Sequence, residues 1–270
     1  MSALNTPMLN YKTYVMTARE KMITFLIAFV VGGIVGLIFY GGQFRDADGI
    51  TTTATTICNI VIFVLVGIAA WFLYYPMRCK QLQSKRKNEL AMQFRSLLEA
   101  LAVSLSSGMN MSESLLSAYN DLKVEYSDNA CIVQEVKEMI DGVQNNIPIE
   151  EMMKSFGERS QIEDIKNFGI VFEISYRAGG NMKDIVRRTN SIISEKIEIS
   201  EEIETALTSN KSQFTAMMVI PVVLMLMLRM MSSSFAASFA TAAGITAITV
   251  AIGIFYAAYR LGQKIMDIKG

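Results

Sequence analysis

The chain contains no histidine. That excludes His-based catalytic triads, imidazole metal ligands and the commonest general base. Its three cysteines, Cys58, Cys79 and Cys131, are scattered, with neither metal-ligand spacing nor a disulfide framework. The sequence also lacks a G-x-x-x-x-G-K-[ST] loop, a G-x-S-x-G elbow and an H-E-x-x-H helix, so nucleotide hydrolysis, serine hydrolysis and zincin chemistry have no basis. The carboxylates Glu150, Glu151, Glu163, Asp164 and Glu173 do not follow a calcium-loop pattern. Lys and Arg total 25 against 25 Asp and Glu, and this balance points to no nucleic-acid partner. The expectation is a non-enzyme without cofactor or metal.

What is present is apolar. Of the 270 residues 51% are hydrophobic, the mean hydropathy is +0.33 and there are only four prolines, as suits a helical chain. The apolar residues gather into runs long enough to span a bilayer: 22–40, 57–75, 214–231 and 236–259. Arg229 interrupts the third near its far end, and no run carries the acidic relay of a pump. Basic residues flank the runs unevenly. Lys12, Arg19 and Lys21 precede the first, Arg78, Lys80, Lys85, Arg86, Lys87 and Arg95 follow the second, and Arg260, Lys264 and Lys269 lie in the tail with Asp267. The 41–56 loop holds only Arg45 with Asp46 and Asp48. The positive-inside rule then predicts a multi-pass membrane protein with both termini and the central region cytoplasmic. The expected architecture is all-α: two membrane helices in residues 1–77, a cytoplasmic helical bundle over 78–213, and two membrane helices plus a short tail in 214–270.

The central region reads as helices at about 84–107, 111–124, 129–143, 149–157, 161–178 and 182–213. In the first, Leu90, Phe94, Leu97, Leu98, Leu101 and Leu105 make one apolar stripe. Two corners are phrased alike, "SSGMNMSESLL" at 106–116 and "YRAGGNMKDIVRR" at 176–188. In them Gly108, and Gly180 of the Gly179–Gly180 pair, can take the left-handed conformation that closes a helix. Asn110 and Asn181 can cap the next helix through a side-chain oxygen, with Glu113 and Asp184 at capping-box spacing. Either corner is explained as a tight helical turn without invoking a partner.

Helical spacing of Met182, Ile185, Ile192, Ile193, Ile197, Ile203 and Leu207 continues into the third apolar run. A continuous helix from 182 to 228 would be roughly 70 Å long, coupling the domain to the membrane. Pro221 falls inside its apolar part, where it should kink the helix or free a carbonyl. Glu195, Glu198, Glu201, Glu202 and Glu204 form an acidic stretch relieved only by Lys196. It reads as a solvated face or as an acidic docking surface. Arg78, Lys85, Arg86 and Lys87 form a basic counterpart, explained by anionic lipid or by a partner. Gly32 and Gly36 in the first run, and Ala243, Ala247 and Ala251 in the fourth, offer small-residue faces for close packing within the chain or between subunits.

The order "FRSLLEALAVSLSSGMNMSESLLSAY", then "IPIEEMMKSFGERSQIEDIKNFGIVFEISYRAGGNMKDIVRRTNSII", then a charged helix leading into "FTAMMVIPVVLMLML" resembles the type II secretion F domain over about residues 88–231. A single copy flanked by two membrane helices on each side is similar, more narrowly, to the TadB/TadC platform proteins of tight-adherence (Tad) pili. The general-secretion and competence relatives carry the domain twice. The resemblance implies a non-enzymatic platform in the bacterial inner membrane, a homo- or hetero-oligomer working with a hexameric secretion ATPase, a second F-domain protein and pilin subunits. A membrane-anchored helical adaptor or signalling protein is the alternative, with a transporter subunit or membrane enzyme behind it.

Overall fold

A computed structural model describes residues 11, 16–42, 52–231 and 241–266. Lys12, the loop residues Arg45, Asp46 and Asp48, the turn after the third run, and Asp267 and Lys269 lie outside them. The described residues form eight helices and no strand: α1 Ala18–Tyr40, α2 Thr53–Ser106, α3 Met111–Glu125, α4 Cys131–Gln144, α5 Ile149–Ser160, α6 Glu163–Arg177, α7 Met182–Met231 and α8 Ala242–Met266. Four of them, α1, α2, α7 and α8, are long and apolar enough to cross a membrane. The all-α class with four candidate spans is thus the one read from the sequence. The second run and the first bundle helix, read separately, belong to one helix of 54 residues that continues through Pro76. A proline removes one ladder donor, and the turns on either side sustain the helix. The fourth apolar helix extends beyond Tyr259 to Met266.

The chain divides into two compact units, one built from Lys80–Ser200 with the N-terminal segment, the other from Met16–Cys79 and Glu201–Gly270. In the first, the stripe of α2 is buried at Leu90, Phe94, Leu97, Leu98 and Leu101, with Leu105 partly buried. Around it pack Leu115 and Leu122 of α3, Val136 and Met139 of α4, Met153 and Phe156 of α5, and Phe168 and Phe172 of α6. Phe94 meets Phe156 and Phe168 at ring-centroid distances of 6.1 and 5.5 Å. From α7 the core takes Val186 and Ile193. Met182, Ile185 and Ile197 of the expected stripe pack against it as well, and the stripe is corrected at Ile192, 56% exposed, and at Ile203, which also faces outward. Only one edge of α7 meets the bundle, so regular apolar spacing along it exceeds what the core can bury.

In the second unit α1 and α2 approach closely. A Cβ at Gly36 would stand 2.9 Å from Val66, and one at Gly67 2.9 Å from the Phe29 carbonyl oxygen; Gly32 meets Ala70 and Gly33 meets Phe63. Small residues let the backbones come together where lipid tails give no hydrophobic drive for association. Arg229 of α7 donates from Nη1 to the carbonyls of Leu37 (3.1 Å) and Gly41 (2.8 Å), and from Nη2 to that of Phe39 (3.2 Å). The charged residue that interrupts the third run thereby serves the carbonyls at the C-terminal end of α1, where Leu37 also accepts from the Gly41 N–H at 2.9 Å.

Candidate partner-docking site

Both Gly corners close by the same motif. At the first, the N–H groups of Met109 and Gly108 donate to the carbonyls of Ser104 (3.3 Å) and Leu105 (3.2 Å), with Gly108 at φ +89°. At the second, Gly180 and Gly179 donate to Ser175 (2.8 Å) and Tyr176 (3.2 Å), and the left-handed residue is Gly179 at φ +67°. The assignment of Gly180 to that role is corrected. In this termination the left-handed residue is the first beyond the cap, and the next N–H reaches back to the third-last helical carbonyl. Gly179 precedes Asn181 by the same two positions that separate Gly108 from Asn110.

The two caps differ. Asn110 Oδ1 accepts from the Glu113 N–H (2.9 Å) while Glu113 Oε2 accepts from the Asn110 N–H (3.1 Å), a complete capping box. Asn181 instead donates its side-chain amide to Asp184 Oδ2 at 2.6 Å. The expected oxygen cap is therefore replaced there by a side-chain pair. Asp is one methylene shorter than Glu, so its carboxylate meets the Asn amide before it can reach the backbone N–H.

The "GERS" segment has three distinct tasks. Gly157 lets α5 approach α6, since a Cβ there would stand 2.9 Å from the Ile165 carbonyl oxygen, and Gly169 meets Met153 in the same way. Ser160 Oγ donates to the Gly157 carbonyl (2.8 Å) and accepts from the Ile162 N–H (3.2 Å), tying the α5–α6 corner. Arg159 reaches Glu135 of α4 through both terminal nitrogens, at 2.8 and 2.7 Å. Glu135 is 1% exposed and also accepts from the Tyr11 hydroxyl at 3.0 Å. Burial, reinforced by the Glu135 charge, pushes the Tyr11 phenol far above its ordinary range. Neither Glu135 nor Tyr11 was singled out by sequence reasoning. A lone acid in an amphipathic pattern carries no mark of burial until its arginine partner is placed.

Of the basic residues proposed for docking, Arg86 stacks over the Tyr11 ring at 5.4 Å and lies 3.8 Å from Cys131 Sγ, while Lys87 donates to the Gln161 carbonyl at 3.4 Å. Lys85 is exposed, and Arg78 is partly exposed with a partner of its own. The acidic residues all lie exposed on α7, Glu195 and Glu198 in the first unit and Glu201, Glu202 and Glu204 in the second. Lys196, the one cation in the stretch, is engaged by Asp164 of α6 at 2.9 Å, and Glu204 lies 3.8 Å from Lys211. Pro221 lines an apolar cavity of about 440 Å³ with Ala247, Ala251, Val35 and Phe39. Ala243, Ala247 and Ala251 are exposed on α8. Among the described residues no cluster of acidic or Cys side chains could hold a metal.

This six-helix unit with its polar corners, continued by α7 into an apolar span, has a counterpart among known families. Residues 97–230 match the profile described as "Type II secretion system (T2SS), protein F". The match supports a type II secretion F-domain protein, and proteins with that domain are non-catalytic inner-membrane platform components of secretion and pilus machinery. Its four candidate spans fit a multi-pass protein of the inner membrane. No curated protein and no solved structure matches the chain significantly.

Proposed function

We propose that this protein is the inner-membrane platform of a Tad-type or related pilus, with both termini and the bundle in the cytoplasm. There it couples a hexameric ATPase and a second F-domain protein to insertion or extraction of pilin subunits. The observation that carries this reading is one F-domain match, residues 97–230, that follows two apolar helices, takes in the third within α7 and precedes the fourth. A single F domain in that frame resembles TadB and TadC rather than the two-copy relatives. The acidic face of α7 and the exposed Lys85 supply charged surface for cytoplasmic partners.

Crosslinking mass spectrometry on the protein taken from its native membrane tests this. Links from residues 78–213 to a hexameric ATPase and to a second F-domain protein are expected. Links only to unrelated regulators, under conditions that keep the complex intact, would replace the platform with an adaptor.

A further inference from the structure

The outer side of the α6–α7 hairpin carries apolar residues that the bundle does not use. On α6 the core takes Ile165, Phe168 and Phe172, and Val171 and Ile174 lie away from it, 46% and 63% exposed. On α7 the core takes Val186 and Ile193, and Ile192 and Ile199, seven residues apart on one helix line, are 56% and 50% exposed. Lys196, one turn on from Ile192, reaches across to Asp164, so this line of α7 borders α6. Large aliphatic side chains held in a row on two adjoining helices mark an interaction surface. Beside them Glu195 and Glu198 are exposed and make no ion pair among the described residues.

The charge pattern selects the occupant. Parallel pairing with α7 of a second copy would set Glu195 and Glu198 against their own equivalents, which like-charge repulsion opposes. Antiparallel pairing would send the apolar ends of the two α7 helices, Phe214–Met231, in opposite directions, which two chains of one orientation in one bilayer cannot do. An anionic lipid surface is repelled by the same carboxylates. We propose that the α6–α7 face docks an amphipathic helix of a partner protein, with apolar residues at i, i+3/4 and i+7 seated on Val171, Ile174, Ile192 and Ile199, and Lys or Arg side chains meeting Glu195 and Glu198. This rests on the platform reading only in taking the face as cytoplasmic, and it specifies the chemistry by which a soluble component holds the domain.

The probe is a fluorescent synthetic helix of about 18 residues, roughly five turns, with leucine on one face and lysine on the other. It is titrated against the full-length protein in nanodiscs of zwitterionic lipid. The expected result is binding about tenfold tighter than that of a scrambled peptide of the same composition, or of one with glutamate for lysine, and tighter than binding to empty nanodiscs. Ile192→Ser with Ile199→Ser should weaken it about tenfold, and Glu195→Lys with Glu198→Lys should reverse the preference toward the glutamate peptide. All four side chains are on the surface, so unchanged unfolding of the variants shows that the bundle is intact. Equal binding of the scrambled peptide, equal binding to empty nanodiscs, or no loss in either variant overturns the proposal. Peptide binding without any ATPase among the crosslinked partners keeps the docking face and removes the platform reading. An ATPase linked elsewhere, with no peptide binding, does the reverse.

Discussion

Glu135, Arg159 and Tyr11 show what a few polar atoms cost and contribute inside this bundle. A buried ion pair contributes little over an apolar replacement, but removal of one partner strands the other. Arg159→Ala is therefore expected to destabilise the bundle by about 3 kcal/mol, read from thermal unfolding in nanodiscs; a loss below about 1 kcal/mol would mean that water replaces the guanidinium. Tyr11→Phe keeps the ring and removes one hydrogen bond to a carboxylate already held twice by Arg159, so it should cost only about 1 kcal/mol. Glu138 behaves differently. Its Oε2 is buried without a hydrogen-bond partner among the described residues, and burial, then the charge of Glu135, raises its pKa. The folded chain holds this proton more tightly than the unfolded chain does. The stabilisation is complete below the ordinary carboxylate range and is lost as pH rises through the raised value. Glu138→Gln should then gain on the parent protein as pH rises from about 4 to 7, and parallel unfolding curves for the two would sink this account.

At the level of elements, the helix ends carry the most testable detail. Gly179→Ala forces a Cβ into a left-handed residue at φ +67° and should cost about 1 kcal/mol, whereas Gly180→Ala meets only a 3.1 Å approach to the Ser175 carbonyl oxygen and should cost less. The reverse order would show that the corner is closed some other way. Asn110→Ala removes a complete capping box and should cost about 1 kcal/mol, more than Asn181→Ala, whose amide contacts only an exposed carboxylate. Much of this was legible beforehand. Gly and Asn at fixed offsets announce helix ends, and the stripe from Leu90 to Leu101 announces a buried face. The choice between Gly179 and Gly180 was not legible in that corner alone, since it depends on where the last helical hydrogen bond falls. The burial of Val186 and the exposure of Ile192 were hidden, because the isoleucines of α7 spread over more of the helix surface than the core covers.

For the whole molecule, the predictions concern how helices far apart in sequence hold each other. Gly36→Leu would drive a large side chain into Val66 of α2 and should separate α1 from α2, seen as loss of a crosslink between cysteines placed on the two helices. Retention of that crosslink would mean that Gly36 packs elsewhere. Charge reversal at Glu201 and Glu202 should weaken binding of the proposed ATPase without lowering bundle stability, because both residues are exposed. Four apolar runs, the helical class, the corner positions and the F-domain resemblance were all determined by the sequence by itself, because length, periodicity and punctuation are local properties that need no partner. Only the tertiary structure decided that Arg229 serves the end of α1, that Arg159 and Tyr11 converge on Glu135, and which isoleucines of α7 stay in solvent. Each of these is a pairing across long stretches of chain, and burial or exposure is a property of the pair, absent from either residue alone.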